Sequence, residues 1–166
     1  GGAIDGLMAS ASSAGADTLA NPTGGFLPPG QTAQGMLSTS DGNSQLSLVA
    51  MMLPSNDGFV RLNSWTLPTE PGTYHVYLNA YDAGTEANDE IRSGGAPGTP
   101  GMPVPPPLEP MLGSGGSGVA NTIANTTVHI HPGNIGDDDA MAGKSVVSNT
   151  VHRWLNPVAK LTVTVQ

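Results

Sequence analysis

The sequence has no cysteine. That excludes disulfides, thiolate metal sites and cysteine nucleophiles, and it leaves the redox compartment open. Basic residues are nearly as scarce: five Lys and Arg stand against thirteen Asp and Glu, for a formal charge of −8. A nucleic-acid binder needs a basic footprint, so that partner class is excluded, and attachment to anionic lipid is disfavoured for the same reason. No apolar run is long enough to span a bilayer. Long runs of good helix formers are missing too. No nucleophile elbow, phosphate loop, zinc-protease helix or EF-hand pattern is present.

What remains is rich in Thr, Val, Ser, Asn, Gly and Pro, a composition of strands and turns. The 166 residues fit one domain, 1–166. Ile4, Leu7, Met8 and Ala11 have helical spacing and predict a short helix. "QTAQGMLS" (31–38) reads as a short strand, and "DGN" (41–43) as a hairpin turn. In "SQLSLVAMML" (44–53), Leu46, Leu48, Ala50 and Met52 share one face. Val49 and Met51 on the other suggest a strand covered on both sides. "FVRLN" (59–63) is strand-like. "YHVYLNAY" (74–81) alternates, with Val76, Leu78 and Ala80 on one face. "NTTVHIHPG" (125–133) reads as a strand ending at a turn, and "LTVTVQ" (161–166) is a strongly alternating final strand. About seven short strands with frequent turns predict an all-β, antiparallel β-sandwich.

Residues 93–118 are more than half Gly and Pro. The composition predicts an extended, exposed loop that contributes little to a core and could be shortened at small cost. Gly1 is not a start methionine. With the acidic, Lys-poor, Cys-free balance, it predicts a processed, exported chain.

"YLNAYDAGTEANDE" concentrates charge that the chain otherwise avoids. Asp82, Glu86, Asp89 and Glu90 fall within nine residues at the end of a strand. Gly84 lets the chain bend, so that Glu86 can fold back toward Asp82. Such a cluster of like charges suits calcium, which takes six to eight oxygen ligands. It equally suits a solvated loop that keeps the chain soluble. The histidines offer a second chemistry. His129 and His131 lie two apart on a strand and share a face, with Val128 and Ile130 expected on the core side. With His75 from another strand as third ligand, they form a candidate copper, zinc or nickel site. The bland alternative places both on the surface, bonded to nearby loops. "DDD" (137–139) reads as a solvated turn, with a second calcium position as the alternative.

Three stretches, "MLPSNDGFVRLN", "AYDAGTEANDE" and "HRWLNPVAKLTVTV", together with "GVANTIANTTVHIHPG", resemble the bacterial branch of the spondin N-terminal domain family. The resemblance runs from about Gly6 to Gln166. It implies a C2-like β-sandwich that is extracellular, non-enzymatic, and calcium-binding near the Asp-Ala-Gly-Thr-acid loop. Carried over by position, it points to Asp82 and Glu86 as ligands, with Asn56 and Asp57 at the same end of the sandwich. The implied role is structural or adhesive, at a cell surface, in extracellular matrix or in a filament. The alternative is a periplasmic or secreted copper-binding protein using His129, His131 and His75. Family members carry a further strand before the region matching "GLMASA". An open sheet edge is therefore expected, filled by self-association, by a donated strand, or by residues 1–20 or "QTAQGML" within the monomer.

Overall fold

The computed structural model describes residues 3–40, 42–93, 99–118, 126–139 and 143–166. The chain divides into two units, Gly2–Gln45 and Leu46–Gln166. In the first, helix α1 (Asp5–Ser13) forms where the helical spacing predicts it. The segment 31–38 is not a strand: it lies outside regular structure, like all described residues from 16 to 44 apart from turns. Asp17 ties this unit together. Its carboxylate accepts the Ser40 N–H, the Ser40 hydroxyl and the Asn43 side-chain amide. These donors, the Ser40 N–H first, hold the carboxyl below its usual range. Asp41 of the expected hairpin turn lies outside the described residues; Asn43 N–H bonds to Ser40 O, and the chain before it is irregular where a hairpin would need a strand. No described residue from 3 to 45 is fully buried.

The second unit is built on strands β1 (Gln45–Met51), β2 (Gly58–Thr66), β3 (Gly72–Leu78), β4 (Ala80–Asp82), β5 (His129–Ile130) and β6 (Ala159–Val165). One sheet has the order β1-β2-β4-β5, and the other pairs β3 with β6. The pairings β2–β4, β4–β5 and β3–β6 are antiparallel, so the fold is all-β with few helices. β3 and β6 run in register from Gly72↔Val165 to Leu78↔Ala159. Their alternation is the one the sequence predicts: Tyr74, Val76 and Leu78 turn inward, and Thr73, His75 and Tyr77 outward. β1 departs from expectation. Leu46 and Leu48 are half-buried, but Val49 and Met51 are exposed, so only one face is covered.

The predicted strand 74–81 proves to be two strands in different sheets. The switch falls at Asn79, and a backbone that changes partners needs substitutes for its lost ladder bonds. The chain before β6 provides them. Asn156 Oδ1 accepts the Ala80 N–H at 2.8 Å, and Val158 N–H donates to Leu78 O at 2.9 Å. The switch delivers Asp82 into the four-stranded sheet, opposite Gly58 and His129.

A buried apolar cluster overturns the expectation for 93–118. Met102 and Leu112 are buried with Val146 and Val147, and Ile91 and Val104 pack against them. A 3-10 helix spans Pro106–Met111. Arg92 staples the segment down, bonding to the carbonyls of Leu112 and Gly113 and to the Glu109 carboxylate. Residues 94–98 lie outside the described residues. The Gly/Pro content gives an irregular backbone path, and the few apolar side chains on it fill a core.

Candidate functional site

The site begins at the end of β4. Asp82 is buried, and its Oδ1 accepts the Gly84 N–H at 2.7 Å, closing a tight turn. Gly84 has φ +69°, and a Cβ there would come within 2.5 Å of the Thr127 backbone, so only glycine fits. Asp82 Oδ2 accepts the Asn88 side-chain amide at 2.5 Å and lies 3.8 Å from His129 Nε2.

The 54–57 loop reaches the same place. Asp57 Oδ2 accepts the Thr85 N–H and hydroxyl, each at 2.7 Å, and the Glu86 N–H at 3.2 Å. The Asn56 amide donates to Asp89 Oδ1 at 2.9 Å and to Glu86 Oε2 at 3.4 Å, while its Oδ1 accepts the Glu90 N–H. Glu86 Oε2 also accepts the Gly101 N–H, which ties the site to the segment carrying Met102. Burial pushes the Glu86 carboxyl above its usual range, and the charges of Asp57 and Asp89 add to the rise. The hydrogen bonds from Gly101 and Asn56 oppose it. Asn56 and Asp57 thus hold the loop that carries Glu86, which follows directly on the turn closed by Asp82.

Glu90 is the residue of the acidic run whose role the sequence does not disclose. It is buried, with φ +56°, and its carboxylate accepts the Ile135 N–H, the Gly136 N–H and the Ser145 hydroxyl at 2.6–2.9 Å. Three donors from two distant loops satisfy the oxygens of this buried carboxyl group. Asn88 was likewise missed, because no spacing rule marks an amide between acids.

The histidines reverse their expected orientation. Val128 and Ile130 are exposed, and His131 is buried, so the side expected to carry the imidazoles to the surface faces inward. β5 is only two residues long and sits at the sheet edge, where the apolar face need not be the covered one. His131 Nδ1 accepts the Gly133 N–H at 3.0 Å, and its ring lies 4.7 Å from that of Trp154. Burial lowers its pKa, against the pull of the Asp82 and Asp57 charges. His129 Nδ1 meets Thr127 O at 2.8 Å. His75 stands on the outward face of β3, bonded to Thr162, and is not brought to the other two. The two chemistries that the sequence separates therefore meet in part: His129 and His131 adjoin the acidic loops.

Beside the site lies a cleft of about 370 Å³, walled by Met51, Phe59, Pro100 and Pro103 and carrying Asp57 and Glu86 at its rim.

Among the described residues, two buried side-chain oxygens in these loops meet no hydrogen-bond donor: Asp57 Oδ1 and Asn88 Oδ1. The Asn88 amide nitrogen donates to Asp82 Oδ2. Unpartnered buried oxygens cost free energy unless a cation meets them. Among the described residues, no three His, Asp or Glu side chains form a group that could hold a metal. A hard cation here would rely on amide and carbonyl oxygens beside the carboxylates, a mixture calcium accepts. Comparison with protein-family models, with curated proteins and with solved structures finds no match.

Proposed function

We propose that the protein is a non-enzymatic β-sandwich of the C2-like, spondin N-terminal type. In this reading calcium locks the loop 54–57 to the loop 82–90, and the rigid end serves a structural or adhesive role outside the cell. The observation that carries it is the pair of unpartnered oxygens, Asp57 Oδ1 and Asn88 Oδ1, in loops that already hold Asp82, Glu86 and Asp89. Most of the acids are pinned by N–H donors, which holds the loops near their bound arrangement before any ion arrives. An ion would then add attraction where Asp57, Glu86 and Asp89 now repel.

The sandwich reading draws support from the two sheets and the strand that passes from one to the other at Asn79. Localisation at a cell surface, in a matrix or in the periplasm rests on the sequence resemblance. The copper reading has less support, because His75 is held by Thr162 on another sheet and is not brought to His129 and His131.

Thermal unfolding with EDTA and with millimolar calcium tests the proposal. Calcium at a hundred times its dissociation constant would stabilise the fold by about 2.7 kcal/mol. Asp57→Asn and Asn88→Ala should each remove most of that gain. Superimposable curves with and without calcium would defeat it.

A further inference from the structure

We draw no further inference here: the strongest candidate, the cleft walled by Met51, Phe59, Pro100 and Pro103 with Asp57 and Glu86 at its rim, belongs to the site already described, and nothing in the structure shows what fills it.

Discussion

Replacing Met102 with alanine should destabilise the protein far more than a Gly/Pro loop would allow. Met102 is fully buried against Leu112, Val146 and Val147. The change removes three heavy atoms, worth about 0.8 kcal/mol each in transfer, and leaves a cavity that the stapled segment cannot fully collapse. The expected loss is about 3 kcal/mol. For a unit of this size, that lowers the melting temperature by roughly 10 °C. The effect should also reach the acidic site. Gly101, next to Met102, donates its N–H to Glu86, so loosening the cluster loosens that carboxylate. The assay is urea unfolding followed by circular dichroism, with a thermal scan alongside. An unchanged slope with a lower midpoint would locate the effect in the folded state. A midpoint within about 1 °C of the parent by thermal scan would refute the packing argument.

Three further outcomes follow from the same contacts. Glu90→Gln turns an acceptor-only group into one that presents an amide donor to Ile135 N–H, Gly136 N–H or Ser145; a loss of about 2–4 kcal/mol is expected by chemical denaturation. Acidification should also destabilise the fold. Burial depresses the His131 and His152 pKa values, so the unfolded chain takes up protons first, and stability falls as pH drops through about 6.5 toward the folded values. Glu86 acts in the opposite sense at lower pH, because its raised pKa makes the folded state the better proton acceptor, and protonation relieves repulsion there. Stability measured between pH 8 and 5.5 should therefore decline, and a flat profile would contradict the buried, neutral imidazoles. Gly84→Ala should unfold the turn or shift Thr127, with a melting temperature well below that of a surface Ala substitution at Gly25, where nothing crowds the backbone.

The alternation of 72–78 and 159–165 was legible because both strands have one covered face, which writes period two into the residues. The break at Asn79 was not, because a strand that changes sheets keeps its alternation, and the bonds that permit the change come from Asn156 and Val158, far along the chain. Composition misled at 93–118: Gly and Pro describe the backbone's freedom, whereas Met102 and Leu112 decide where it packs. It misled at β5 as well, where the polar pair lies inward because Asp82 and Trp154 are there to receive it. The acidic run was visible as unusual, and Asn56 and Asp57 hydrogen-bond to residues within it. What no pattern could supply was the set of N–H donors from loops 84–86, 101 and 135–136 that hold those carboxylates.

Calorimetric titration of calcium into the EDTA-stripped full chain tests the central claim most directly. The account predicts saturable binding at one site per chain, lost in Asp57→Asn, weakened in Asn88→Ala and retained in His75→Ala. Absence of binding at millimolar calcium, or binding indifferent to both Asp57 and Asn88, would contradict it.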